Sequence, residues 1–323
     1  MGCLHPQDVP AVDGTSRVRV FMRLAYDGSG FHGFAFQPGC RTVAGALMDA
    51  IKAIAYDCDG IVCAGRTDAG VHARDQVIHV DINVGGQLVS PGNMARSLNK
   101  MLSPEVVILQ AGIAPAGFDA RHSATARSYM YTIMNTLHPD PLMARQVWHV
   151  RAPLDVRSMR TAADCMLGVH DFSAFCRRKK GDKSGTPITR EILSTRLEVR
   201  KWDERWRDGD GVRIGNEAGS GDIIERDNAA GRGESINSGR VVVFEVAARS
   251  FCHQMVRSLV GMLVEVGRGR STPADVYSLL QGHSRVSFVA PPEGLCLTRV
   301  DYGGIELLGE GDVNLFSVGG RRG

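Results

Sequence analysis

No apolar run in this sequence reaches the ~18 residues that a membrane-spanning helix needs, so no helical anchor and no membrane partner are expected. Cysteine never occurs as Cys-x-x-Cys. The eight residues, Cys3, Cys40, Cys58, Cys63, Cys165, Cys176, Cys252 and Cys296, lie far apart, which argues against a zinc centre. No secretory signal is visible. The chain is therefore expected to be cytoplasmic, nuclear or organellar rather than secreted, with its thiols free. Met1-Gly2-Cys3 could open a myristoylation signal, but position 6 is Pro where the signal needs Ser or Thr. Strong net charge is missing too, the formal balance being +3.

That mild balance conceals an asymmetry. Residues 203–239 hold nine acids and five bases, a net −4, so the remainder carries +7. Residues 176–201 hold nine bases against three acids. Concentrated positive charge suits a partner that carries phosphates. A length of 323 residues, 43% hydrophobic and 23% charged, describes an ordinary globular chain of one large domain or two packed ones.

Hydrophobic periodicity and punctuation place the elements. Val18–Tyr26 alternates as a strand and ends at the turn Asp27-Gly28-Ser29-Gly30. The aromatics Phe31, Phe34 and Phe36 follow, and either stack on bases or belong to the core. Thr42 caps a helix with Val43, Leu47, Ile51 and Ile54 on one face. Ile61–Ala64 and Gln76–Ile82 read as strands, Ser90 and Pro91 open a helix to about Leu102, and Val106–Ala114 is strand-like. From Arg127 the period is two, with Arg127, Tyr129, Tyr131 and Ile133 on one face. Asp155 caps a helix stopped by Gly168, and Asp171 is a further cap beside core residues Phe172 and Phe175. Glu191–Trp202 and Arg240–Ala248 are strands. Phe251 opens a helix whose buried stripe is Phe251, Met255, Leu259 and Met262, and Thr272 with Pro273 opens another.

Residues 1–16 read as a disordered leader, and 304–323 as a flexible tail. The segment 203–239 holds eight glycines and cannot bury enough apolar surface to offset its ordering entropy, which predicts a disordered insert. The order strand–helix–strand–strand–helix–strand occurs roughly twice. It predicts two α/β halves, 17–120 and 121–323, sharing one sheet around a central cleft.

The chemistry is expected in Gly65-Arg66-Thr67-Asp68-Ala69-Gly70-Val71-His72-Ala73. Two glycines bracket a carboxylate, Asp68, two residues from a fixed cation, Arg66, on a tight loop between strands. Asp68 could equally cap the turn, and His72 reads as structural. On the strand from Arg127, an Arg and a Tyr on one face could hold a phosphate and stack on an extruded base, or could be a snorkelling Arg and a core Tyr. Arg257 lies near the start of a largely apolar helix, where an unpaired charge would cost several kcal/mol. The basic run Arg177, Arg178, Lys179, Lys180 is either a solvated face or a phosphate-contacting loop.

The nine-residue loop resembles the signature of TruA-type tRNA pseudouridine synthases. Four further segments are similar to that family in the same order. They are Phe118–Arg121 with Ser123-Ala124-x-x-Arg127-x-Tyr129-x-Tyr131, Gly168–Phe175, Phe251-x-x-x-Met255-Val256-Arg257-x-x-Val260-Gly261, and Ala290-Pro291-x-x-Gly294-Leu295-x-Leu297. The resemblance implies an α+β pseudouridine synthase fold, a mixed, mostly antiparallel sheet flanked by helices. It implies isomerisation of uridine to pseudouridine in the anticodon stem-loop of tRNA, and a homodimer with one tRNA touching both subunits. The reaction breaks the N1–C1′ bond and joins C5 to C1′ with no net oxidation or hydrolysis, so neither metal nor redox cofactor is implied.

By the same resemblance Asp68 is the catalytic carboxylate, either nucleophile or base of an elimination route. Arg257 pairs with it and keeps it ionised, since a cation within ~4–6 Å lowers a carboxylate pKa. Tyr129 stacks on the uracil and could help remove the C5 proton, while Tyr131 is structural. Arg66, Arg127, Gln37 and Leu295 contact substrate. The family's Trp-Gln pair is Phe36-Gln37 here. Two other readings stand beside this one: a non-catalytic RNA-binding protein of the same fold, and a family member acting on organellar or other RNA. A phosphatase with Asp68 as nucleophile would need a second Asp at position 70, which is Gly.

Overall fold

A computed structural model describes residues 17–54, 57–83, 89–178, 186–202, 239–281, 286 and 288–309. The expected leader, all but the last residue of the expected insert, residues 310–323 of the expected tail, and Lys179 and Lys180 lie outside the described residues.

The alternating run at the start forms strand β1 (Arg17–Tyr26). Thr42 caps helix α1 (Val43–Ala53) by accepting from the Gly45 N–H, and the apolar face expected from Val43, Leu47 and Ile51 is buried. Then come β2 (Asp57–Cys63), β3 (His72–Asn83), α2 (Pro91–Leu102), capped by Ser90 with Pro at its start, and β4 (Val106–Ile113). The second half contains β5 (Ala126–Asn135), β6 (Trp148–His149), α3 (Val156–Asp164), β7 (Gly168–Asp171), β8 (Thr189–Lys201), β9 (Arg240–Ala248), α4 (Met255–Gly267), α5 (Pro273–Leu280) and β10 (Leu295–Asp301).

The strands join in one sheet of order β4-β1-β3-β10-β5-β9-β8-β7, with β2 on β3 and β6 on β5. The order β4-β1-β3-β2 in the first half is matched by β10-β5-β9-β8 in the second. Every pairing inside these two four-strand groups is antiparallel. The groups meet through a short parallel pair, His72 opposite Cys296 and Ala73 opposite Leu297. This junction lies at the start of β3, immediately after the loop that carries Asp68. The sheet is therefore mixed, the fold α+β, and the seam lies at the predicted chemistry.

Helix α4 is apolar nearly all round and nearly all of it is buried, as a helix enclosed by the core must be. It begins at Met255 and not at Phe251. The four residues before it are held out of helical geometry: Cys252 is bonded to Cys176, and the His253 carbonyl accepts from the Arg177 N–H at 2.9 Å. The side chain of Phe251 packs edge-on against Tyr129, with ring centroids 5.1 Å apart, and does not extend the helix stripe.

The Cys176–Cys252 disulfide corrects the expectation of free thiols throughout. It links residues 76 positions apart whose Cα atoms lie 5.7 Å from each other, a proximity created by the sheet and by no local motif. Residues 304–309, expected within a flexible tail, are placed against the sheet. The Leu307 carbonyl accepts from Gln110 Nε2 at 3.1 Å, which lays residues 304–309 back on β4. Of the three early aromatics, Phe31 and Phe34 are core and Phe36 is exposed.

Candidate active site

The loop between β2 and β3 is fixed by side chains that sequence spacing does not single out. Gln76, fully buried on β3, donates to the Gly65 carbonyl at 2.6 Å and accepts from the Gly65 N–H at 3.3 Å. Thr67 is buried, its hydroxyl 2.7 Å from the Tyr26 phenol. Burial pushes that phenol well above its ordinary pKa, so it stays protonated and available to the pair. The Phe34 N–H donates to the Thr67 carbonyl, and the Gly70 N–H donates to the Phe31 carbonyl. Gly70 has φ +78, a conformation that L side chains rarely take, and that turn reverses the chain directly after Asp68. The one signal of Gln76 in the sequence is an amide at the head of the run Val77-Ile78, where a buried polar group must find partners.

Asp68 is thereby presented on a rigid support with 27% of its side chain exposed. Arg257 Nη1 donates to Asp68 Oδ2 at 3.2 Å, across 189 positions of sequence. The Arg257 side chain is only 14% exposed, and its Nε donates to the Ala290 carbonyl at 2.7 Å. The expected pairing of these two residues is present. On the other side of the carboxylate, His253 Nε2 stands 3.5 Å from Oδ1 with its side chain 45% exposed.

Tyr129 is buried on β5, its hydroxyl 3.4 Å from where a Cβ on Gly65 would lie, which sets it beside the loop. Burial raises its pKa far above that of a free phenol, with the Asp68 charge adding to the shift. Burial thus favours the neutral phenol, a form that can stack on a base and donate a hydrogen bond. Tyr131 donates to the Pro291 carbonyl at 2.8 Å and is structural.

Arg127 does not make the substrate contact expected of it. Its guanidinium is turned inward and all five of its N–H bonds are used, donating to the carbonyls of Ala64 (twice), Ala124, Arg249 and Arg121. No donor remains for a phosphate. Arg127 instead ties the residue that enters the Asp68 loop to β5 and to the end of β9.

Arg66 is exposed on the loop beside Asp68. Gln37 lies on the exposed turn before α1 with its amide donating to the His32 carbonyl of the same turn. Leu295 is buried where β10 begins, opposite Tyr131. Arg177 is exposed, and its backbone hydrogen bond to His253 brings it to the edge of the site. Arg178 turns to the Thr186 carbonyl. His72 is structural: its Nδ1 accepts from the Gly28 N–H at 3.1 Å, and its Nε2 lies 2.7 Å from the Arg145 carbonyl.

With its carboxylate pinned at the seam, partly exposed, and its cation supplied by the opposite half, this arrangement suits an enzyme active site. Comparison with known proteins agrees with this class. A family model described as tRNA pseudouridine synthase matches residues 162–303. The tRNA pseudouridine synthase A of Frankia casuarinae is 38% identical over 294 residues, 90% of this chain and 90% of the relative. Those of Leifsonia xyli subsp. xyli, 36% identical over 90% of this chain and 93% of the relative, and Bradyrhizobium diazoefficiens, 35% identical over 88% and 99%, are similar along the same length. The chain belongs to the tRNA pseudouridine synthase family.

Proposed function

We propose that this protein isomerises uridine to pseudouridine in tRNA, in the anticodon stem-loop. The observation that carries the reading is the Asp68–Arg257 pair at the seam of the two halves, with the Asp68 carboxylate partly open to solvent. The reaction needs an ionised carboxylate next to C1′ of a nucleotide taken out of its stack. Asp68 supplies it, whether it bonds to the sugar or opens an elimination. Arg257 fixes its direction. Tyr129 packs on the uracil and keeps water from the detached base. Arg66 and Arg177, both exposed, meet the phosphodiester backbone on either side of the flipped nucleotide.

The same reading gives the enzyme a homodimer as its working unit and a compartment that holds tRNA, cytoplasmic, nuclear or organellar. The test is release of tritium from tRNA carrying [5-³H]uridine. Wild-type protein releases it, and Asp68→Asn, folded as judged by circular dichroism, does not. Asp68→Asn with wild-type turnover would overturn the role given to that carboxylate. A wild-type protein that binds tRNA without releasing tritium would leave an RNA-binding protein of this fold. Mapping pseudouridine in RNA from cells lacking the protein locates the target, and sedimentation of the free protein measures its subunit number.

A further inference from the structure

We propose that His253 is a positioning residue that fixes which oxygen of Asp68 faces the substrate; the inference rests on the activity proposed above. The two oxygens of the carboxylate have different neighbours. Oδ2 is held from the buried side by Arg257 at 3.2 Å, while Oδ1 faces His253 Nε2 at 3.5 Å. Arg257 is 14% exposed and His253 45%, so the histidine lies on the side from which a nucleotide enters. At 3.5 Å the contact is longer than a hydrogen bond. Catalytic hydrogen bonds in a site without substrate are often long and tighten on closure.

The backbone around His253 is constrained well beyond what an exposed histidine needs. The residue before it, Cys252, is bonded to Cys176. Its own carbonyl is held by the Arg177 N–H, and the Met255 N–H returns to the Cys252 carbonyl at 3.1 Å. The residue after it, Gln254, has φ +63 and ψ 6, the one non-glycine with positive φ among the described residues. Its side chain makes no cap hydrogen bond that would offset this conformation. Strain of this kind persists where the surroundings over-determine it, and it clusters at functional sites. Here its effect is to end the approach to α4 with the imidazole directed at Asp68.

A group in that place can restrict the rotation of the carboxylate about its Cβ–Cγ bond, so that Oδ1 is presented to the sugar in one orientation. Imidazole offers an N–H at Nε2 in its charged form and in one neutral tautomer. Glutamine carries an amide N–H at a similar reach. The nearby cations give a competing account, in which His253 contacts a phosphate as Arg66 and Arg177 are proposed to do.

The experiment compares wild type, His253→Ala, His253→Gln and Asp68→Asn in single-turnover tritium release and in tRNA binding. His253→Ala is expected to lower the rate constant about 10- to 100-fold, the range for a misplaced reacting group, with the tRNA Kd unchanged. His253→Gln is expected to recover most of that rate. A raised Kd with an unchanged rate constant would overturn the inference in favour of a phosphate contact. An unchanged rate, or a loss that Gln does not rescue, would overturn it as well. Should the alanine variant not fold, His253→Leu takes its place beside His253→Gln, with the same outcomes for and against. Failure of the underlying activity is distinguishable, because wild-type protein itself would then release no tritium.

Discussion

Arg257 meets Asp68 from 189 positions away, and it does so while its Nε is fixed on the Ala290 carbonyl, which leaves the guanidinium little freedom to follow a moving partner. The carboxylate is therefore oriented by a cation that is itself held by the backbone leading into β10. Arg257→Ala is expected to remove both restraints and to lower kcat/KM at least ~100-fold, equal to about 2.7 kcal/mol of transition-state stabilisation. Arg257→Lys, which keeps the charge and loses the fork, is expected to recover only part. Binding of tRNA should change little in either, since Arg257 is mostly buried. Steady-state kinetics together with a filter-binding Kd separate the two effects.

The five donors of Arg127 make a different prediction, one about stability. Arg127→Ala leaves the carbonyls of Ala64, Arg121, Ala124 and Arg249 without that donor. A buried acceptor left unpaired costs about 1–3 kcal/mol, and some of these carbonyls can relax toward water, so a loss of about 2–4 kcal/mol is expected. Lysine, with three donors on a flexible stem, should not restore it. Urea denaturation of Arg127→Ala and Arg127→Lys measures this. A phosphate contact would behave differently: its removal would reduce the salt dependence of tRNA binding by about one unit of slope. No such reduction is expected.

Tyr129 is predicted to act through its ring. Tyr129→Phe should keep the packing on Phe251 and retain most of the turnover, because the phenol is held neutral by burial. Tyr129→Ala should lose activity at least ~10-fold and destabilise the fold by about 3–5 kcal/mol, as removal of a buried aromatic does. Tritium release and thermal melts on both variants check this. A Tyr129→Phe variant as inactive as Tyr129→Ala would restore a proton-transfer role to the hydroxyl.

A pH effect follows from the Arg19–Asp81 pair that links β1 and β3. The Arg19 guanidinium, 2.7 Å from both carboxylate oxygens, holds the Asp81 carboxyl below the usual carboxylate range. A carboxyl whose folded pKa is depressed contributes stability above its unfolded pKa of ~3.9 and loses it as pH falls through the lower folded value. Wild-type stability should therefore drop below about pH 4. Asp81→Asn should be less stable at neutral pH and show a shallower drop there. Denaturant midpoints measured between neutral pH and about pH 3 show whether the two curves converge.

Local chemistry is the legible part of this sequence. Thr42, Ser90, Asp155 and Thr272 cap the helices they are expected to cap, because a cap depends on a side chain and the N–H two or three residues on. The alternation from Arg127 identifies a face of β5 that is buried. It does not say what lies at the end of the Arg127 side chain, since Ala64 and Arg249 arrive from other strands. The helix onset departs from Phe251 for a similar reason. Apolar periodicity runs back through that residue, while a disulfide partner and a backbone donor from residues 176 and 177 hold the stretch in another shape. Gln76 and His253 give no periodic signal; the partners of Gln76 lie across the β2–β3 hairpin, and the relevance of His253 is visible only once segments distant in sequence are adjacent.

Strand β10, the last strand among the described residues, occupies the middle of the sheet between β3 and β5. During synthesis the two halves therefore have no shared seam until residues 295–301 have left the ribosome. Asp68 cannot gain its arginine in a settled position before then, because Arg257 is steadied by Ala290 just upstream of that strand. A nascent chain that stops short of this point holds every residue of the Asp68 loop and is expected to be inert, so that activity waits for the strand that closes the sheet.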